Sequence, residues 1–293
     1  MAVILETCYL NGEFQDIVSA KIPVLDRGFI FGDAVYEVIP VYAGITLALD
    51  LHLERLERSL AEISLPSPMD FAQWREVIYE LIAQNGGADQ SLYLQVSRGV
   101  APRNHVIPEN ISPTVFIFSQ QFEPTKQVGV EAITDIDIRW QRCDIKATSL
   151  LANVILRSRA NTAGAYETIL FRDGMLTEGA ASNVFIVYND RIVTPIEDHR
   201  ILAGITRRLL IDSLNGTDLA VIEQDVSAEM FESATEIWVS SSSRDLSPVL
   251  KCNGQPVGNG EIGSKFVEAE QRFLQWKNNQ IAIERKNRQL ALN

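Results

Sequence analysis

Short runs of alternating apolar and polar residues fill the first third of the chain. They read AVILETCYLNGEF and then VYEVIPVYAGITLAL, with Asn11-Gly12 and Ala43-Gly44 as turn points. Alternation with a period of two is the pattern of half-buried strands joined by tight turns, so it predicts an antiparallel sheet. The period then changes. LDLHLERLERSLAEISL sets Leu53, Leu56, Leu60 and Ile63 along one helical face, and MDFAQWREVIYELIAQNGG predicts a second helix ending at a glycine pair. SLYLQVSRG and TVFIFSQQF return to strand patterning, which gives the order β-β-β-α-α-β-β, an α+β arrangement. QQFEPTKQ, with Pro124 among polar residues, is the candidate boundary. It divides the chain into a small N-terminal α+β domain, residues 1–122, and a larger C-terminal domain, residues 123–293.

Beyond the boundary GVEAITDIDIRW predicts a strand, and SLLANVILRSRANTAG a helix with Leu150, Leu151, Val154 and Ile155 on one face, ending at Gly164. ETILFRDG, NVFIVYND and RIVTPI predict strands, followed by a helix from Ile205, another near Ser227 to Ser233, the strand EIWVSSSS and a closing helix in GSKFVEAEQRFLQWKNN. The C-terminal domain is therefore expected to be β-rich α/β, with the whole chain folded except its last dozen residues. No internal repeat is present.

A length of 293 residues suits two domains, and 46% hydrophobic with 22% charged residues is ordinary globular usage. Charge narrows the function. With 26 basic against 38 acidic residues, the net charge of −12 has the wrong sign for a general nucleic-acid binder and suits a metabolic enzyme. An anionic substrate would need a few local arginines and histidines to override that field. No run approaches the roughly 20 apolar residues that span a bilayer, and MAVILETCYLNG lacks a basic segment ahead of its apolar residues, so a cytoplasmic protein is expected. Cys8, Cys143 and Cys252 form neither CxxC pairs nor zinc spacing; free thiols and no metal follow.

Several residues are candidates for chemistry, each with a plainer alternative. Lys146 in DIRWQRCDIKATSLL is a lone lysine between a strand and a helix; it is either a solvated side chain or an amine made nucleophilic by the apolar neighbours around it. Glu178 in LTEGAASNVFIVYND is either a solvated turn residue or a fixed acid. In ILAGITRRLLIDSL, Gly204 followed by Ile205 and Thr206 opens a helix whose free N–H groups are ordinary capping donors or an anion cradle. The run Ser240 to Ser243 adds hydroxyls at a strand end. RGVAPRNHVIP carries Arg98, Arg103 and His105 on a loop stiffened by Pro102 and Pro108, suited to solubility or to clamping a carboxylate. Tyr36 is a half-buried strand tyrosine or a hydroxyl completing a site, His52 and Arg55 share one helical face, and His199 reads as a loop residue.

In their order, LDRGFIFGDAVYE, HLERL, RGVAPRNH, DIRWQRCDIK, LTEGAASNVF and LAGITR resemble the fold-type-IV pyridoxal-phosphate enzymes over nearly the whole chain. Within them the VYEV strand, the PRNH loop and the RCDIK segment look most like the D-amino-acid transaminases. The resemblance implies a homodimeric transaminase using pyridoxal 5'-phosphate, acting on D-amino acids and 2-oxo acids by ping-pong exchange. It implies that Lys146 forms the Schiff base and carries the proton between substrate and cofactor, and that Glu178 faces the pyridine nitrogen. Arg55, Ile205, Thr206, Ser241 and Ser242 would hold the phosphate, with the serine register open by one, and Leu202 would pack beside the ring. Tyr36, Arg103 and His105 would trap the substrate carboxylate with His52 in support, selecting D over L, while Arg98 would be structural. The chain departs from the family in having Ala147 after Lys146 and Ala180-Ala181 after Gly179, where serines are common, so hydroxyl contacts to the cofactor are in doubt. Alternatives on the same fold are a branched-chain L-amino-acid transaminase, an aminodeoxychorismate lyase and a noncatalytic cofactor-binding protein. VYEVIPVYAG lacks the downstream arginine of the first, and the PRNH loop argues against the second.

Overall fold

The opening alternation closes into a six-stranded sheet. The computed structural model describes residues 3–121 and 129–291; the expected boundary around Pro124 lies outside the described residues. In chain order the elements are β1 (Ile4–Leu10), β2 (Glu13–Asp16), α1 (Arg27–Phe31), β3 (Ala34–Tyr42), β4 (Ile45–Thr46), α2 (Leu49–Glu62), α3 (Phe71–Gln84), β5 (Gln90–Ser97) and β6 (Thr114–Gln121). The sheet order is β2-β1-β6-β5-β3-β4 and every pairing is antiparallel. Asn11-Gly12 and Ala43-Gly44 all have positive φ, as the tight hairpins require. The expected order holds, with α1 and the short β4 added.

One face of this sheet is covered by α2 and α3. Val35, Ile39 and Val41 of β3 and Leu92, Leu94 and Val96 of β5 meet Leu53, Leu56 and Leu60 of α2 and Trp74, Ile78 and Leu81 of α3, all buried. A capping box starts α3: Asp70 accepts from the Gln73 N–H while Gln73 reaches back to the Asp70 N–H.

The remaining elements are β7 (Val130–Ile136), α4 (Leu151–Thr162), β8 (Glu167–Arg172), β9 (Met175–Gly179), β10 (Asn183–Tyr188), β11 (Arg191–Thr194), α5 (Ile205–Leu214), β12 (Ile222–Glu223), α6 (Ala228–Glu232), β13 (Glu236–Ser241), β14 (Asp245–Cys252), β15 (Gln255–Pro256) and α7 (Ser264–Ala291). The strands form a mixed sheet in the order β12-β11-β10-β13-β14-β7-β8-β9, with β15 on β14. Val184, Ile186, Ile237, Val239 and Val249 form its core with Phe231 of α6.

Contacts divide the chain into two compact units. The first is Met1–Glu123 with Ile145–Ser149 and Gln280–Asn293; the second is Pro124–Asp144 with Leu150–Asn279. The segment carrying Lys146 thus belongs with the first sheet, although it follows the boundary in sequence. Two expectations are corrected. Of the α4 face, Leu151, Val154 and Ile155 are exposed by 74%, 58% and 40%, because the helix turns Leu156 and Ala160 inward instead. Of the last dozen residues, those described, 282–291, are helical: within the first unit Glu284 lies 3.8 Å from Arg75 and Arg288 covers the Tyr79 ring, which supports α7 to Ala291. No helix of the described residues is long and apolar enough to cross a membrane.

Candidate active site

Lys146 is positioned by a backbone ladder. The upper part of β3 has a free edge beyond β4, and residues 145–149 fill it: the Tyr36 N–H donates to the Lys146 carbonyl at 2.9 Å, the Thr148 N–H to the Ala34 carbonyl at 3.0 Å, and Val35 bridges Ala147 antiparallel. In that register Lys146 stands opposite Tyr36. Cross-strand partners share a face, so the lysine amine lies over the tyrosine ring, 4.3 Å from its centroid. Tyr36 in turn stacks on Tyr93 at 5.5 Å, whose hydroxyl donates to Gln95 at 2.7 Å and is pushed up to about 12 by burial. Ile145 and Ala147 point the other way, into the core beneath α2.

The same alternation sends Glu37 to the helix side of β3, where it is fully buried. Arg55 meets it with a fork, Nε to Oε1 and Nη2 to Oε2 at 2.7 Å each, and His52 Nδ1 lies 2.8 Å from Oε2. Burial alone would raise the Glu37 carboxyl, but the Arg55 guanidinium and the His52 ring reverse this and hold it well below the usual range. Burial also pushes His52 below its ordinary value, against the pull of Glu37 and helped by Arg55 and Lys146. Tyr36, His52, Arg55 and Lys146 therefore all belong to the first unit, His52 and Arg55 gathered on Glu37 on the helix side of β3 and Lys146 on Tyr36 on the other face.

Arg103 and His105 of the same unit are exposed and gather on a different ring. The Arg103 guanidinium lies 5.5 Å and the His105 ring 5.3 Å from the Phe31 centroid. Arg27 supports this loop from below, its Nη1 donating to the Asn104 carbonyl at 2.6 Å. Arg98 is buried, held by Asp33 at 2.8 Å and by the carbonyls of Ile63 and Ser64.

In the second unit Glu178 sits on β9 at a register shift: Ile169 pairs with Gly179 but Phe171 with Leu176, so β9 carries one extra residue there. Such a bulge re-aims a side chain. The buried Glu178 carboxylate accepts from Asn183 Nδ2 and the Leu202 N–H at 3.0 Å each, both on Oε2, and from Arg139 Nη1 on Oε1. Leu202 thus meets Glu178 through its backbone. Burial raises the carboxyl to about 6, with Arg139 and the Leu202 N–H pulling it down.

Asn183 also governs the start of α5. Its Nδ2 donates to the Leu202 carbonyl at 2.9 Å, and its Oδ1 stands 1.9 Å from where a Cβ on Gly204 would lie, so only glycine fits. Among the described residues no side chain caps α5, which leaves the N–H groups at Ile205 and Thr206 directed at whatever lies ahead of the helix. Among the serines, Ser241 and Ser243 pair at 3.3 Å, Ser242 is half-buried, and Ser240 Oγ is buried with no partner among the described residues. His199 offers its carbonyl to the Cys143 N–H at 2.9 Å.

Each taken within its own unit, these groups have the chemistry that the parts of a phosphorylated pyridine aldehyde require. A carboxylate has about four acceptor positions. Among the described residues three are taken at Glu178, leaving one on Oε1 for a ring N–H. Within the second unit the uncapped helix start and the serine hydroxyls at the end of β13 each suit a phosphate, and within the first the Lys146 amine, with an aromatic ring beside it, suits an aldehyde.

The amino-transferase class IV family model matches residues 34–252. The chain belongs to the class IV aminotransferases. The aminotransferase is 39% identical to the D-alanine aminotransferase of Bacillus licheniformis over 86% of this chain and 90% of that one. It is 36% identical to that of Staphylococcus haemolyticus over 90% and 95%. Among solved structures the branched-chain aminotransferase of Escherichia coli superposes with a TM-score of 0.86 at 24% identity, over 92% of this chain and 94% of that one. That of Thermoproteus uzoniensis gives 0.84 at 23%, over 98% and 97%. These superpositions establish the shared fold. Aminotransferases of this class use pyridoxal 5'-phosphate. Motif order had pointed to Lys146, Glu178 and the run Ser240 to Ser243 but not to roles for Glu37, Asp137, Arg139 or Asn183. VYE placed Glu37 near the chemistry, and Asp137, Arg139 and Asn183 lie inside DIRWQRCDIK and LTEGAASNVF without a spacing that marks their role.

Proposed function

We propose that the aminotransferase is a D-amino-acid transaminase, exchanging the amino group between a D-amino acid such as D-alanine and a 2-oxo acid such as 2-oxoglutarate. The observation that carries this reading is its likeness, along most of both chains, to proteins named for D-alanine. Pyridoxal 5'-phosphate, when bound, supplies an electron-withdrawing ring that takes up the electron pair left as the substrate Cα–H bond breaks. Lys146 would hold the cofactor through its amine and, when that amine is free, would take the substrate Cα proton on Nζ and return it. Glu178 Oε1 accepts the ring N–H. Arg55, the N–H groups at Ile205 and Thr206, and the hydroxyls of Ser241 and Ser242 bind phosphate, with Leu202 beside the ring.

Arg103 and His105 bind the substrate carboxylate together with the Tyr36 hydroxyl, and so choose which Cα face meets Lys146. His52, buried against Glu37, supports this group from behind. The reaction runs in two halves: the D-amino acid leaves as its 2-oxo acid with its nitrogen retained, and a second 2-oxo acid carries that nitrogen away. The protein works as a homodimer in the cytosol, where its free cysteines stay reduced.

Incubation with D-alanine and 2-oxoglutarate, followed by a pyruvate assay and chiral analysis of the glutamate formed, tests the reading. Pyruvate and D-glutamate are expected, with no turnover of L-leucine under the same conditions. Turnover of L-leucine without D-alanine would reassign the substrate to branched-chain L-amino acids.

A further inference from the structure

A buried couple behind Glu178 is unused by the chemistry above. Arg139 is 5% exposed and spends its guanidinium on two acids: Nε and Nη2 grip Asp137 Oδ1 and Oδ2 at 2.9 Å each, and Nη1 faces Glu178 Oε1. Nη2 also reaches the Arg200 carbonyl at 3.3 Å. Asp137 is itself anchored, taking Arg172 Nη2 at 3.0 Å and the Thr177 hydroxyl at 3.1 Å. A buried ionic network adds little net stability compared with an apolar packing of equal volume. Its geometry must therefore be read for what it orients. The planar fork, fixed by Asp137 on one side, leaves the guanidinium one direction in which to point, and that direction is Glu178.

We propose that Arg139, braced by Asp137, is a positioning residue that keeps the Glu178 carboxylate ionised and turns its remaining Oε1 acceptor toward the cofactor ring nitrogen. This rests on the reading that Glu178 meets that nitrogen. Asn183 and the Leu202 N–H fix Oε2, so the carboxylate plane is set by those two donors and Arg139 together. The charged and titratable groups around Glu178 are Arg139, Asp137, Arg172 on Asp137, and the thiol of Cys143. Burial pushes Glu178 up and Asp137 adds to this, while among the described residues Arg139 is the full positive charge in contact with it. The Cys143 thiol, pushed up to about 11 chiefly by burial, is neutral at neutral pH. Without Arg139 the carboxyl would hold its proton at neutral pH, and a protonated acid offers the ring N–H a poorer acceptor.

The full chain, freed of cofactor and titrated with pyridoxamine 5'-phosphate across pH, reads this without turnover. In the parent protein affinity should fall as the pH drops through about 6, the Glu178 value. In Arg139→Gln the fall should move up by about one pH unit or more, with affinity at neutral pH reduced about tenfold. Arg139→Lys keeps the charge but not the fork, so its midpoint should stay with the parent while affinity drops a few fold. Should Arg139→Gln fail to fold, Arg139→Lys still decides: parental affinity there overturns the positioning role. An unmoved midpoint in a folded Arg139→Gln overturns the ionisation role. Glu178→Gln separates the two levels, since parental affinity and profile in that variant would remove the reading of Glu178 itself.

Discussion

At Glu37 a carboxylate with no access to water is held by three hydrogen bonds from Arg55 and His52. Replacing it with glutamine leaves the buried Arg55 without its counter-charge, which costs about 3–5 kcal/mol in such clusters. Urea unfolding of Glu37→Gln should register that loss; a change below about 1 kcal/mol would mean that Arg55 finds another anion. The pH dependence has a definite sign. Glu37 titrates below its unfolded value, so its contribution is complete above the ordinary carboxylate range and is lost as the pH falls through the folded value. The parent should therefore lose more stability on acidification than the variant. Glu37 was hard to read from sequence because its partners lie 15 and 18 residues away on another element. Lys146 and Glu178 were readable because each sits in a contiguous motif, whereas Arg139 reaches Glu178 across 39 residues.

Single elements were legible wherever the periodicity was uninterrupted, as in α2, α3 and β10. Besides the two-residue strands β4, β12 and β15, two longer strands escaped for local reasons. β9 follows the turn at Asp173-Gly174, both with positive φ, and is too short and irregular to alternate. β14 contains Pro248, which argues against a strand between two neighbours, yet it lies between β13 and β7 and shifts register just beyond the proline. The start of α5 had the right sequence signal, Gly204-Ile205-Thr206, but the reason for the glycine is tertiary. A methyl at Gly204 would strike Asn183 Oδ1 and push apart the loop that brings the Leu202 N–H to Glu178. Gly204→Ala should thus weaken cofactor binding at both the phosphate end and the ring-nitrogen end, and lower the melting temperature, with a penalty of about 1–3 kcal/mol for the overpacking. Calorimetric titration with pyridoxamine 5'-phosphate checks it; parental affinity would mean that the 202–204 loop yields without disturbing either group.

For the molecule as a whole, fold class was legible and the outer surface was not, because periodicity separates faces without saying what covers them. The α4 stripe of Leu151, Val154 and Ile155 is the example: its spacing marks a buried face, but within the chain it is exposed. A second set of exposed apolar residues lies on the first unit, Leu25 and Phe29 on one segment and Val100, Val106 and Ile107 on another, the two segments joined by the Asp26–Val100 bridge and the bonds Arg27 N–H to Gly99 and Ala101 N–H to Leu25. Apolar surface gathered on adjoining loops is what an association face needs, and the proposed homodimer supplies a partner of matching chemistry. The charge of −12 on each chain opposes self-association at long range, so apolar contact has to provide the attraction and added salt should tighten the dimer by screening. Light scattering during size exclusion should give twice the 32.7 kDa chain mass. Phe29→Glu, an exposed position outside both buried cores, should shift the equilibrium toward monomer, most strongly at low salt, while circular dichroism stays unchanged. A parent that runs at one chain mass at every salt concentration would rule the dimer out, and an unaltered dimer in Phe29→Glu would move its interface away from this patch.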